Sequence, residues 1–538
     1  MELSNSIEPA TNGDKSMSQE GYAVSSPPSE ESSNVAWKRQ VLDRFLGLKP
    51  AIAFGLTLQL SWEAAAAGFQ AGLVNGGPAA IVWGMFLVGF GATAISISLG
   101  EMASITPTVG AQYRWTASYA PRVMSPNFWG LIQGWLTVFA WMATSAAASF
   151  LIAGLIMALI ILNNLTYVPE RWHATLLTWA VLLIPFAFNI FARKLLAPIE
   201  IVGGVMHIIF FVITVVTLCV TAPKSSAEFV FTQGDPGISG WNNAGISFSI
   251  GLLTSVFSIQ GFDGVLHMSD EVKEAPKKVP QSMVWGTVMN SVVAFAFVVC
   301  LLFTIGDIDR VTSSATGYPI IEIYYQATNS KAWTTVLGLM IIVPGLVSLF
   351  SILASVSRLS WAFARDGGMP FSHFFAHVHP TLRIPLRSLG LVTAVVVILT
   401  LVNIGSTTAF YAILSLSTLT LYVSYMVPVL FFTLRKLSSR RPALGVWNVG
   451  RWGLPVNCFA LVYGLYMIVF LPWPPMQPVD EENMNYSGPV LGFVLLLSLL
   501  DWFVSGRKRF SMVDRPGEWT VEHQREAQEE EQRSEKNE

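Results

Sequence analysis

Twelve apolar runs follow one another along the chain, each of roughly the 20 residues that cross a bilayer core. They lie at residues 50–74, 78–104, 129–162, 173–191, 197–221, 244–268, 283–306, 333–363, 387–404, 407–434, 454–471 and 488–505. The expected fold class is therefore all-α: a polytopic membrane protein of about 12 transmembrane helices. Composition agrees. Hydrophobic residues make up 52% of the chain and charged residues 12%, against about 25% charged in a soluble domain. The formal net charge of −2 gives no basic bias toward nucleic acid.

Residues 1–36 are rich in Ser, Glu, Asn and Pro, with no signal peptide before the first run. The expected division is a disordered cytoplasmic tail over 1–45, a transmembrane domain over 46–505 and a charged cytoplasmic tail over 506–538. Placing the N-terminus inside puts Lys and Arg on the inner side by roughly five to one. The outer loops keep only Arg171, Lys224, Arg310 and Lys331. Two sequons, at Asn164 and Asn485, fall in outer loops and mark expected glycosylation sites. Cys219, Cys300 and Cys458 are far apart in apolar runs, without metal spacing or a disulfide framework. They read as small buried hydrophobes.

Two runs carry carboxylates where lipid-spanning helices avoid them. In Val256-Phe257-Ser258-Ile259-Gln260-Gly261-Phe262-Asp263-Gly264, Asp263 sits between two glycines. A carboxylate at membrane depth costs about 2.5–3.5 kcal/mol and marks a substrate or ion path. The flanking glycines point to a broken helix, tolerated only where backbone lines a cavity. The first run is its counterpart, with Gln59, Ser61 and Glu63 in mid-membrane. Polar breaks five spans apart predict two inverted repeats with a site at their interface.

Further motifs extend the pattern. Asn75-Gly76-Gly77-Pro78 follows the first run, and Ser98-Leu99-Gly100-Glu101-Met102-Ala103-Ser104-Ile105-Thr106-Pro107 ends the second. Gly261-Phe262-Asp263, Asp270-Glu271-Val272 and Pro276-Lys277-Lys278-Val279-Pro280 come in order at and after the sixth. Arg358-Leu359-Ser360-Trp361-Ala362-Phe363-Ala364-Arg365-Asp366-Gly367-Gly368-Met369-Pro370 closes the eighth, and Pro472 to Tyr486 precedes the last. Over about residues 45–505 the chain resembles the amino acid–polyamine–organocation superfamily, in its fungal amino acid/choline branch. The resemblance implies a leucine-transporter-type fold, a 5+5 inverted repeat plus two peripheral helices. It further implies a plasma-membrane permease that imports a small amino acid or amine with a proton and uses no cofactor.

By the same resemblance, Ser61, Trp62 and Glu63 fall at the first break, where the family has small Gly-Ser-Gly residues. Glu63 would repel a substrate carboxylate, so choline is a sharp alternative, with Trp62, Phe257, Phe262 and Trp141 as cation–π faces; the other reading of Glu63 is a partner for a polar neighbour away from substrate. The expected substrate-binding set is Ser61, Trp62, Glu63, Phe257, Gly261 and Phe262. Asp263 matches the family's coupling carboxylate, its other reading being a structural acceptor. His207 falls where proton-coupled relatives carry a lysine, so it is a second coupling candidate beside its reading as a satisfied buried histidine. His267 reads as structural, and Glu101 as a gate or packing partner. Ser351 and Ser355 share a helix face, toward substrate or their own backbone. Lys277 and Lys278 read as inner-side anchors. No Walker-type GxxxxGK[ST] supports an ATP-driven pump. His373, His377 and His379 read as solvated loop residues, and no enzyme is expected. A non-transporting nutrient sensor of the same fold is the remaining alternative.

Overall fold

The computed structural model describes residues 47–512, except 122, 165, 235–236, 406–408, 440 and 482. The expected N-terminal tail, and the C-terminal tail beyond Met512, lie outside the described residues. Every regular element described is helical. Among the described residues, eleven helices are long and apolar enough to cross a membrane. The first of the twelve expected spans is not among them because it is broken into Leu48–Gln59, Ser61–Ala67 and Phe69–Val74.

The first break is at Leu60, whose φ of 46° and ψ of 54° are left-handed. For a branched side chain that conformation costs about 1–3 kcal/mol and persists only where the surroundings impose it. The break lies one residue before the expected Ser61-Trp62-Glu63, which instead forms the first turn of the next half-helix. The sixth span runs as Ala244–Gly251 and Leu253–Ser258, opens at Ile259 to Gly261, and continues as a 3-10 helix, Phe262–Glu271. Gly261 supplies the turn at φ 83°, open to glycine without steric cost. Gly264 lets the break pack closely, since a Cβ there would lie 2.5 Å from Leu58 Cδ1 and 2.9 Å from Trp141 Cη2.

The broken spans satisfy each other's freed backbone groups. Thr254 Oγ1 accepts from Gly72 N at 2.8 Å and donates to Gly68 O at 2.7 Å. Ser247 Oγ accepts from Gly76 N at 3.0 Å. Ser355 of the eighth span (Lys331–Arg365) donates to Gly264 O at 2.9 Å. Side chains from neighbouring spans thus replace the ladder bonds that a break removes.

The fifth span (Leu196–Thr221) shows how the intact helices face lipid. Val202, Val205, Ile209, Val212 and Val216 are exposed along one face, whereas Gly203, His207, Thr214 and Leu218 are buried on the other. The two last spans, Gly453–Phe470 and Ser487–Asp501, are peripheral, leaving Phe459, Val462, Leu465, Phe493, Leu496 and Leu500 exposed. Packing extends past the expected boundary at 505. Arg509 pairs with Asp501 at 2.7 Å, and Phe510 is buried with its ring 6.0 Å from that of Phe363.

Candidate functional site

The two breaks enclose a cavity of about 70 Å³ between the first, third, sixth and eighth spans. The first span contributes Leu58, Gln59, Leu60, Glu63 and Ala64, and the sixth contributes Phe257, Gln260 and Gly261. Thr144, Ala148, Leu151, Ile152 and Leu155 come from the third span (Pro126–Asn163), and Ile341, Gly345, Ser348 and Ile352 from the eighth. The walls are mostly aliphatic with a few convergent polar groups, the usual make-up of a small-molecule site. Gln59 Oε1 and Gln260 Oε1 are buried without a hydrogen-bond partner among the described residues. Both oxygens are therefore placed to accept from donors of a bound small molecule.

Glu63 is the one charged side chain on the wall, and it is paired. His207 Nδ1 lies 2.9 Å from Glu63 Oε1 and 3.0 Å from Oε2. Both residues are buried, and His207 Nε2 has no hydrogen-bond partner among the described residues. The sequence left Glu63 as a substrate contact or the partner of a polar neighbour, and His207 as a coupling group or a satisfied buried histidine; the fold makes them one hydrogen-bonded unit. A hydrogen-bonded carboxylate–imidazole pair can hold or release one proton while changing its net charge toward the cavity from zero to −1.

Of the other expected substrate residues, Phe257 and Gly261 line the cavity with Glu63, and Ser61, Trp62 and Phe262 do not. Ser61 is fully buried and its Oγ is unpaired. Trp62 points away between neighbouring spans, donating from Nε1 to His207 O at 3.0 Å, with Phe297 at 5.2 Å between ring centroids. Phe262 packs on Tyr425 at 5.0 Å. The four aromatics named from sequence therefore do not form one cage at this cavity; only Phe257 faces it.

Asp263 is also off the cavity wall. Its Oδ2 accepts from Gln112 Nε2 at 2.6 Å and Trp141 Nε1 at 3.0 Å, and its Oδ1 accepts from Tyr425 Oη at 2.6 Å. His267 Nε2 lies 3.4 Å away. Three donors from three other helices converge on one carboxylate beside the helix break, the arrangement of a structural acceptor. Ser351 and Ser355 bond other spans rather than their own backbone. Ser351 donates to Glu200, which also accepts from Thr57, and Ser355 donates to Gly264 O. Glu200 escaped the sequence reading because it stands near the start of its apolar run, where a carboxylate is unremarkable; Gln112 lies between runs and carried no signal.

The ends of the spans that carry most Lys and Arg are tied by ion pairs. Glu101 accepts from Lys436 Nζ at 2.5 Å and from Val449 N at 3.3 Å, which makes it a packing partner of the tenth span (Ala409–Leu437) and its following loop. Arg358 Nε meets Glu271 at 2.7 Å, joining two of the sequence motifs. Arg114 bonds Asp366 through Nε at 3.0 Å and Nη2 at 2.7 Å, with Tyr113 Oη at 2.7 Å. Burial alone would push the Asp366 carboxyl up, but Arg114, Arg365 and the Tyr113 hydroxyl hold it below the usual carboxylate range. Lys278 meets Glu274 at 2.5 Å, one turn away. The two sequons differ: Asn164 is exposed, whereas Asn485 is turned inward, its Nδ2 against Ser415 Oγ, Leu471 O and Trp473 O.

The sequence is similar to known proteins along most of its length. A family model described as amino acid permease matches residues 46–496. A Macrophomina phaseolina protein assigned as an amino acid/polyamine transporter is 32% identical over 81% of this chain and 96% of its own. The choline transporter of Saccharomyces cerevisiae is 30% identical over 86% of this chain and 81% of its own. Amino-acid permease 2 of Neurospora crassa is 29% identical over 82% and 81%. With paired helix breaks around a buried cavity and these relatives along nearly its whole length, the chain belongs to the amino acid permease family, multi-pass membrane transporters of the amino acid–polyamine–organocation superfamily.

Proposed function

We propose that the protein is a proton-coupled plasma-membrane permease that imports a small amino acid or related amine, bound at the cavity between the broken spans. The observation that carries the reading is the Glu63–His207 pair on the cavity wall. When protonated, imidazolium and carboxylate cancel, and a zwitterionic substrate meets a neutral wall. When the proton leaves, the wall is negative and repels the substrate carboxylate. Proton binding and amino-acid binding then favour each other, as thermodynamic linkage requires of a symporter. Gln59 and Gln260 offer acceptors to the substrate ammonium, and Phe257 a ring face. Asp263 then serves as the acceptor that fixes the sixth-span break, and the asymmetry of Lys and Arg supports cytoplasmic termini.

Choline is the second reading. It is favoured by a wall that carries a carboxylate and no Lys or Arg, and by the relative named a choline transporter. A cation would be drawn to the deprotonated pair, so the two readings differ in the sign of their pH dependence. Uptake of labelled GABA and labelled choline in cells lacking their own permeases separates them. Saturable uptake of GABA, displaced by other amino acids, supports the first; saturable uptake of choline alone supports the second; flux of neither class contradicts both.

A further inference from the structure

We propose that Cys219 and Cys300 are a peroxide-responsive thiol pair whose disulfide ties the fifth span to the seventh around Trp62. The two thiols are 81 positions apart in the chain, yet their Sγ atoms lie 3.6 Å from each other. Cys219 is exposed, three residues on from Val216 along the face its span turns to lipid, and Cys300 is half-buried, so neither is sealed in the core and a small uncharged oxidant can reach them. Each stands within a turn of the end of its helix, at Thr221 and at Phe303. Those ends are already joined, because Ser225 N donates to Phe303 O at 2.8 Å. A disulfide needs the sulfurs about 1.5 Å closer, an approach the proposal asks of the exposed Cys219 side chain.

The chemistry balances with hydrogen peroxide as oxidant. The Cys219 sulfur attacks a peroxide oxygen as its thiol proton leaves, the O–O bond breaks, and a sulfenic acid and, with that proton, water form. The Cys300 sulfur attacks the sulfenic sulfur and gives its own thiol proton to the departing oxygen, which leaves as the second water. Two S–H groups and one peroxide become one S–S bond and two waters. Peroxide is small and uncharged, so the step does not depend on which face of the membrane the pair is near.

The position gives the crosslink a structural consequence. The Trp62 ring lies between the same two spans, bonded to His207 O of the fifth and packed on Phe297 of the seventh. Phe297 is one turn from Cys300. A disulfide at the helix ends therefore closes the two spans on the half-helix that carries Glu63.

The test uses the full-length protein in membranes, as wild type and as the near-isosteric Cys219→Ser and Cys300→Ser variants. After peroxide treatment, free thiols are blocked with N-ethylmaleimide and the protein is digested and weighed without reductant. The expected result is a Cys219–Cys300 peptide pair, lighter by two hydrogen atoms, cleaved by dithiothreitol and absent from both variants. The melting temperature should rise on oxidation in wild type and stay fixed in the variants. Recovery of both cysteines as alkylated thiols, or of each as a separate sulfinic acid, would overturn the proposal. So would a crosslink that leaves the melting temperature unchanged. None of these readouts depends on the identity of the transported substrate.

Discussion

His207 Nδ1 sits 2.9 Å from Glu63 Oε1, joining the middle of the fifth span to the first turn after the break in the first. The carboxylate faces the cavity and the imidazole stands behind it, with Nε2 unpaired. In a low-dielectric interior a charge left alone is strongly disfavoured, so whatever changes the charge of one partner is felt by the other. This is the physical basis for treating them as one proton-binding unit.

The proposal gives Asp263 a different role, that of a structural acceptor, and so predicts a different phenotype. In Asp263→Asn one of the two oxygens becomes a donor facing Gln112 and Trp141, or Tyr425. Leaving such donors unmatched costs about 1–3 kcal/mol. The expected outcome is a lower melting temperature and less folded protein, with the substrate KM of the surviving protein unchanged. A variant that is normally stable but has lost the pH dependence of transport would return Asp263 to the coupling machinery.

Gly261→Ala tests the sixth-span break. A Cβ there takes a positive-φ backbone conformation that costs about 1–2 kcal/mol. It also meets Leu58 Cδ2 at 3.3 Å and Trp141 Cη2 at 3.6 Å. Thermal unfolding should show a clear loss of stability, together with a raised KM because Gly261 lines the cavity. Unchanged stability and KM would mean the break tolerates a side chain.

The Arg114–Asp366 pair gives a signed pH prediction. The folded-state carboxyl of Asp366 is depressed, while an unfolded aspartate titrates at about 3.9. Its stabilising contribution is therefore fully present above that value and lost as pH falls through the lower folded value. Melting temperatures of wild type and Asp366→Asn should differ at neutral pH and converge as the sample is acidified below about pH 4. A gap that stays constant across that range would show the pair contributes nothing that titrates.

The sequons predict a simple gel result. Asn164→Gln should abolish any glycosidase-sensitive mobility shift, since Asn164 is exposed and its Oδ1 accepts from Thr166 Oγ1 at 2.8 Å. Asn485→Gln should leave that shift intact, because its Nδ2 is buried against three acceptors. The reverse pattern would contradict the inward placement of Asn485.

Much of this architecture was legible because lipid imposes strict rules. Apolar runs of bilayer length located every span, and lone polar residues in the first and sixth located the breaks. The break in the first span was read within one residue, missing Leu60 because a leucine in left-handed conformation has no sequence signature. Contacts between distant spans were not legible. Nothing in the spacing of Glu63 and His207 says that they touch, or that Cys219 meets Cys300. Trp62 and Phe262 were assigned to substrate by adjacency to the breaks, but successive residues of a helix point in different directions, and these two point into neighbouring spans.

The most direct test of the central claim is the substrate KM as a function of external pH, in wild type and Glu63→Gln. With GABA as substrate, the account predicts that KM falls as pH is lowered in wild type. In Glu63→Gln, where the wall cannot become negative, it predicts a KM that no longer follows pH and transport at least tenfold slower, about 1.4 kcal/mol of lost transition-state stabilisation. A Glu63→Gln protein that keeps the wild-type pH dependence would contradict the account and place proton coupling elsewhere.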